Sequence, residues 1–383
     1  MKKKFLLTGG RAPATLEIAR QLHAQGHLIY MAESQSAFLS RASNAVEKSF
    51  VVAPPRQDPS GFVRDLLRIV REISIDVLIP TCEEVFYVAR GLEALRVSCA
   101  VWCDTLSNLH LLHNKYTFNR EVRALCLPAP HTQLAETLEG VRAYAGSFPV
   151  VLKPAYSRFA SQARILRSAS ELPSALAISP AQPWLLQEFI DGNELCTYSV
   201  CWEGELLSHS TYSHEFTAGR GAGISFEAVD HPRLREWVRA FARARKYTGQ
   251  LSFDFIETSG GVLHPLECNP RATSGAHLFL PEDRLDQVFL RERGRKTLEP
   301  APGRRAMILL AMLSYGLAGI KGRAKLAAWW RAVCSSREVI YQWADPLPAF
   351  YQFVGLYQFW RGSLREKKSI MEMSTHDIEW NGD

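Results

Sequence analysis

The chain has 383 residues, 47% of them hydrophobic and 22% charged, more than one ordinary core can organise and suited to two or three lobes. Its 45 Lys and Arg against 39 Asp and Glu leave a net charge of +6; with no basic run interleaved with aromatics, that excess suits an anionic ligand and argues against a nucleic-acid partner. The eight scattered cysteines form no CxxC pair and no metal-finger spacing, so they read as free thiols of a reducing, cytoplasmic compartment. The apolar run after the initial Lys2, Lys3 and Lys4 is too short for a signal peptide.

Residues 4–9 form a short apolar strand that runs into Gly9 and Gly10, and a helical pattern follows over 14–22. Further strands are expected at 27–32, 49–53 and 76–80, with helices over 61–72 and 83–95. Buried strands alternating with amphipathic segments predict a parallel sheet covered by helices, so residues 1–113 read as a Rossmann-like lobe. The turn at Gly9-Gly10 lacks the later glycines of a dinucleotide fingerprint, because Arg11 to Ala14 occupy their places. Glu83 and Glu84 follow the strand ending at Pro80, where open α/β sheets place ligands. Glu83 is therefore a candidate substrate contact; the alternative is an acidic first turn of a helix.

The 110–118 segment is helical in pattern and carries Lys115. Residues 148–154 form an apolar strand that finishes on Lys153, and a buried strand does not usually end on an ammonium unless that group faces a cleft with an anionic partner. The strand 184–190 carries Gln187, Glu188, Phe189 and Ile190, breaks at Asp191-Gly192, and is followed by Glu194. An edge strand with a turn would explain the Asp-Gly break equally well. Strands continue over 195–202 and 205–212. The loop 214–223 then offers three glycines with His214 and Arg220, candidates for gripping a substrate carboxylate. A basic amphipathic helix, 231–247, leads on.

Residues 249–271 read as two alternating runs around Gly260-Gly261, a dipeptide suited to a two-residue hairpin turn. That register puts Asp254 opposite Glu267 and Ser252 opposite Asn269. Two carboxylates facing each other at about 5 Å repel unless a positive group lies between them. Asn269 adds a neutral oxygen on the same face, which makes a hard, all-oxygen donor set of the kind Mg²⁺ takes. Arg271 lies just beyond. The alternative is a hairpin whose charges simply face water.

The pair of motifs Phe253-Asp254-Phe255-Ile256 and Leu266-Glu267-Cys268-Asn269-Pro270-Arg271 resembles the metal-binding hairpin of the ATP-grasp superfamily, which includes carboxylate-amine ligases, biotin carboxylase and the large subunit of carbamoyl phosphate synthetase. The resemblance implies an α/β protein in which the Rossmann-like lobe precedes a two-lobe ATP-grasp fold over 114–290, divided near 187/188. Lys115 and Lys153 would then reach the ATP phosphates, Gln187 to Ile190 would read the adenine, and Glu194 would bond the ribose. Asp254, Glu267 and Asn269 would hold Mg²⁺ or Mn²⁺, Arg271 with Lys153 would stabilise charge in the reaction, and Ser274 would lie on the substrate side. Residues 155–163 depart from the pattern, since the phosphate loop of the family is glycine-rich and this one has no glycine.

The implied activity is ATP-dependent joining of a small-molecule carboxylate to an amine through an acyl phosphate. Carboxylation through carboxyphosphate and non-catalytic nucleotide binding are the alternatives. From Arg291 the resemblance ends. Residues 291–383 are expected to be a mainly helical extension; its apolar run 306–320 is shorter than the roughly 18 residues of a membrane span. Packing onto the core or into a homodimer is expected of it, with membrane contact as the alternative, and residues 371–383 read as a loose polar tail.

Overall fold

The computed structural model describes residues 2–157, 162–219, 221–292, 294 and 296–382. Its first sheet contains β1 (Lys4–Thr8), β2 (Leu28–Glu33), β3 (Lys48–Val51), β4 (Val77–Ile79) and β5 (Ala100–Val101). All five are parallel, in the order β3-β2-β1-β4-β5, which is the Rossmann-like lobe expected from the strand–helix alternation. Helix Pro59–Ile73 starts where the Asp58 carboxylate accepts the Gly61 N–H at 2.8 Å. The single helix expected over 83–95 is divided at Gly91 into Val85–Arg90 and Leu92–Arg96. A Cβ at Gly91 would lie 2.5 Å from a methyl of Val63, so this close approach of the helix Pro59–Ile73 requires the glycine.

The second sheet is small and antiparallel: β6 (Thr132–Ala135), β7 (Val150–Pro154), β8 (Arg164–Leu166) and β9 (Trp184–Glu188), in the order β6-β9-β7-β8. The third contains β10 (Asn193–Trp202), β11 (Glu205–Ser213), β14 (Ser225–Val229), β15 (Gly249–Glu257), β16 (Leu263–Asn269), β17 (Arg305–Met307) and β18 (Arg337–Glu338). Between β11 and β14, β12 (Thr217–Ala218) and β13 (Ala222–Gly223) form a separate short ribbon. Helix Pro232–Arg245 covers the third sheet, with Trp237 and Phe241 packed on Phe253. The cluster continues through Phe118 into Leu66 and Phe86 of the first lobe, so one core ties that lobe to the hairpin β15–β16.

The hairpin keeps the expected register by a different route. Its loop is Ser259, Gly260 and Gly261, closed by the Thr258 N–H to the Val262 carbonyl at 3.0 Å, with Gly261 left-handed at φ 74°. A three-residue loop pairs Glu257 with Leu263 and Phe255 with Pro265; a bulge next to Asp254 then returns the strands to the pairs Asp254–Glu267 and Ser252–Asn269. The two-residue turn is thus corrected, while the facing carboxylates stand.

The C-terminal residues are mainly helical but also contribute β17 and β18 to the third sheet. Helix Leu347–Glu366 lies along the short turn Leu39–Ala42 of the first lobe. The tail is not loose. Trp380 is buried and stacks on Phe86 at 5.4 Å. Asp377 accepts from both terminal nitrogens of Arg11, at 2.6 and 2.8 Å, and from Ser34 and Gln35. Burial works against that carboxylate, yet Arg11 holds it down to about 2.

Candidate active site

Three elements meet at the open face of the hairpin. From β15 and β16, Asp254 and Glu267 face one another by register. From the start of helix Lys115–Ala124, capped by Asn114, the buried Lys115 places its Nζ 3.1 Å from Glu267 Oε2 and 3.1 Å from the Ser157 carbonyl. From the end of β7, Lys153 donates to the Leu266 carbonyl at 3.2 Å. Two buried ammonium groups therefore flank one of the two carboxylates.

The charges in this site are mutually adjusted. Burial pushes the Asp254 carboxyl up to about 7, and the Glu267 charge opposite adds to the push. Glu267 meets the same burial but is lowered to about 2, chiefly by Lys115 and Lys153. Lys153 is itself lowered to about 8, by burial first and against the pull of Glu267. The pair thus keeps one proton near neutrality, because one more positive charge is wanted between the carboxylates.

A hard divalent cation fits that demand. Asn269 Nδ2 donates to Glu267 Oε1 at 3.3 Å, and its Oδ1, which accepts from Arg271 at 3.3 Å, retains a second lone pair on the same face. Among the described residues no group of three or more His, Cys, Asp or Glu could enclose a metal ion. A cation here would complete its shell with oxygens from outside the chain, as Mg²⁺ does with phosphates and water.

Lys153 lines a cleft of about 500 Å³ together with Gln187, Glu188, Phe189, Ile190, Glu194 and Leu266. Gln187 is buried and donates to Thr132 Oγ1 at 3.0 Å, while Glu188 accepts the His131 N–H at 2.9 Å. At the hinge that follows, a Cβ on Gly192 would stand 2.2 Å from the Glu257 carbonyl, which explains the glycine in the Asp-Gly break. The cleft also contains Arg164 and Arg167, which the sequence reading passed over. Their signal was available: two basic residues bracket the apolar pair Ile165-Leu166 of β8.

His214 Nε2 lies 3.3 Å from Glu194 Oε2, so a residue expected on the substrate and one expected on the ribose are joined. That contact lowers the Glu194 carboxyl. Behind His214 stands Cys196, expected only as one of the free thiols and here paired in register with Asp254; burial holds its thiol protonated. Arg220 lies outside the described residues, as do Arg158 and Ser161 of the glycine-free loop. Ser274 opens a short turn, Ser274–Leu278, whose neighbour Gly275 is pressed against Tyr198.

Glu83 departs from its expected place. It is buried and accepts the Trp380 N–H at 3.1 Å, so its carboxylate serves the docked tail. Glu84 is likewise buried and accepts from Thr8, Thr81 and Cys82. The strand end that opens onto ligand in other open sheets is here closed by residues 374–380. A second cavity, of about 580 Å³, lies between that tail and Tyr156 and Ser157, next to the carbonyl that Lys115 grips.

No family model matches the chain. In sequence it is 28% identical over 180 residues to the carbamoyl phosphate synthase large chain of Streptomyces avermitilis, an alignment covering 43% of this chain and 16% of that one. The chain therefore spans only a fraction of that relative. In structure it is similar to N5-carboxyaminoimidazole synthase from Aspergillus clavatus in complex with ADP and 5-aminoimidazole ribonucleotide, with TM-score 0.64, 14% identity and 87% of each chain covered. It is also similar to the L-amino acid ligase from Bacillus licheniformis, with TM-score 0.59, 15% identity, and 72% of this chain and 70% of that one covered. The chain thus has the ATP-grasp fold, and its sequence relatives are carbamoyl phosphate synthase large chains.

Proposed function

We propose that this protein is an ATP-dependent ligase that activates a small-molecule carboxylate as an acyl phosphate and joins it to an amine, releasing ADP and phosphate. One observation carries the reading: Lys153, which with Lys115 acts on the Glu267 that faces Asp254, also lines the cleft that holds Gln187 to Ile190. Adenine would lie against Phe189 and Ile190 with its edge on the backbone there, and Glu194 would take the ribose. Phosphates would then point to Lys153 and Lys115, with Arg164 and Arg167 along the way. Asp254, Glu267 and Asn269 would hold Mg²⁺, which supplies neutralisation of phosphate charge when bound.

The chain's own work is positioning and charge. Lys153 and Lys115 fix the transferring phosphoryl group, and Arg271 steadies the charge that gathers on the oxygens as the carboxylate attacks. No side-chain nucleophile is required. The cavity bounded by Tyr156, Ser157 and the tail adjoins the phosphate end and is the place we assign to the substrates. Carboxylation stays within the same chemistry, with bicarbonate as the carboxylate.

ADP release from purified protein with ATP and Mg²⁺, across panels of amino acids, other carboxylates and bicarbonate with and without amines, tests this reading. A pair that stimulates release in wild type and fails with Asp254→Asn is expected. If every pairing leaves ATP intact while both proteins bind nucleotide equally, the ligase reading is wrong and the chain is a nucleotide-binding protein.

A further inference from the structure

Of the nineteen large hydrophobic side chains that are exposed among the described residues, fifteen fall between Leu313 and Ile370. The helix Leu347–Glu366 concentrates them and is turned inside out. Toward the body it presents the buried Pro348 and Gly355 together with Gln358, whose Oε1 accepts the Ala37 N–H at 3.2 Å and whose amide bonds Gln35. Toward solvent it presents Phe350, Phe353, Val354, Tyr357, Trp360 and Leu364. Those positions follow the helical repeat, so they form one stripe along a helix about 30 Å long. An apolar stripe of this length is seldom left to water.

Charge indicates what covers it. Residues 300–370 contain eleven Lys and Arg but only three acidic residues, whereas the whole chain has an excess of only six. All three acids are engaged: Glu338 accepts the backbone N–H groups of Leu309, Ile340 and Tyr341, Asp345 is buried on Arg20, and Glu366 accepts from Arg365. Arg304, Arg305 and Arg337 pair with Asp283, Glu227 and Glu17 outside this stretch, but Lys321, Arg323 and Lys325, with Arg361, Arg365 and Lys367 at the helix end, stand exposed. A second copy would bring the same positive excess against itself. Aromatic and aliphatic groups on one face with cations beside them instead match a bilayer whose headgroups are anionic.

We infer that the helix Leu347–Glu366 lies in the surface of an anionic lipid bilayer, its stripe from Phe350 to Leu364 among the acyl chains and Arg361, Arg365 and Lys367 at the headgroups. Among the described residues no helix is long and apolar enough to cross a membrane, so the attachment is to one leaflet. The catalytic cleft would then work beside a lipid surface.

The test is sedimentation of the full chain with phosphatidylcholine vesicles and with vesicles containing phosphatidylglycerol. Partition is expected to be at least about tenfold stronger on the anionic vesicles and to fall with added salt. The triple variant Phe353→Ser, Tyr357→Ser, Trp360→Ser should lose binding at least about tenfold while keeping the wild-type circular dichroism and melting curve, because all three side chains already face solvent. Arg361→Gln with Arg365→Gln should weaken anionic binding by about tenfold and leave neutral vesicles unaffected. The inference is overturned if wild type ignores anionic vesicles at low salt, or if the triple variant binds as wild type does. It is equally overturned if sedimentation equilibrium shows a dimer that the triple variant abolishes while lipid binds neither protein, since a second copy then covers the stripe.

Discussion

Asp254→Asn should make the metal-free protein more stable and should abolish the proposed ligase activity. In the wild type, burial and the facing Glu267 push the Asp254 carboxyl from 3.8 up to about 7. A carboxyl raised in the folded state contributes most below its unfolded value, and that contribution is lost as pH rises toward 7. Near pH 8 the shift of about three units corresponds to an upper bound of about 4 kcal/mol, which partial solvent access and sharing with Glu267 reduce to about 2 kcal/mol. Asparagine has the same shape, cannot ionise, and can donate its amide to Glu267. Thermal melts in chelator near pH 8 should place the variant about 2–3 °C above wild type. Addition of Mg²⁺ and ATP should raise the wild type and reverse the order, and the variant should lose about a hundredfold or more in ADP release. A variant that melts below wild type in chelator, or that turns over as wild type does, would refute the reasoning.

Lys153→Met should weaken ATP binding by at least about tenfold, measured by calorimetry, because the buried ammonium proposed to hold the phosphates is lost. The lowering of Lys153 to about 8 adds a pH signature: wild-type affinity should fall as pH climbs through 8 and the ammonium deprotonates, and the Met variant should lack that fall. Asp377→Ala should leave Arg11 buried beside Glu33 without its second carboxylate and cost about 2 kcal/mol. Hydrogen exchange over residues 374–381 should then accelerate, whereas equal protection would show that Arg11 does not hold the tail. In the wild type that clamp is fully present above Asp377's unfolded value of 3.8, and it should be lost as pH falls toward about 2. Native protein should react with a disulfide reagent at two of its eight cysteines, Cys126 and Cys334, which alone are exposed; in Cys82, Cys103, Cys196, Cys201 and Cys268 burial also keeps the thiol protonated.

The hairpin was legible in the sequence because a strand's two-residue period places Asp254 and Glu267 on one face whatever lies around them. The loop between them was not. A bulge adds a residue without leaving a mark in composition, so a three-residue loop plus a bulge gives the same pairing as a two-residue turn. Lys153 was legible for a similar local reason: an ammonium that closes an apolar strand asks for an anion. Glu83 was misread because its partner, Trp380, is 297 residues away, and nothing local to Glu83 distinguishes a ligand carboxylate from one that holds a backbone N–H. The helix Leu347–Glu366 shows a further limit. Its apolar repeat predicts a helix with one greasy face, but only the packing of Gly355 and Gln358 against the first lobe reveals that this face is turned outward.

The clamp between Arg11 and Asp377 joins residues 366 positions apart, and this bears on how the molecule folds. A contact of that span closes nearly the longest loop the chain allows, so the parallel sheet of residues 4–101, although drawn together by neighbouring segments, has its carboxyl end covered only once the tail has docked. The boundary expected near residue 113 does not divide the core, which runs from Leu66 and Phe86 to Phe253. An excised N-terminal lobe would expose the ring of Phe86 and strand Arg11 beside a single carboxylate, and it should behave as an aggregation-prone fragment in place of an independent domain.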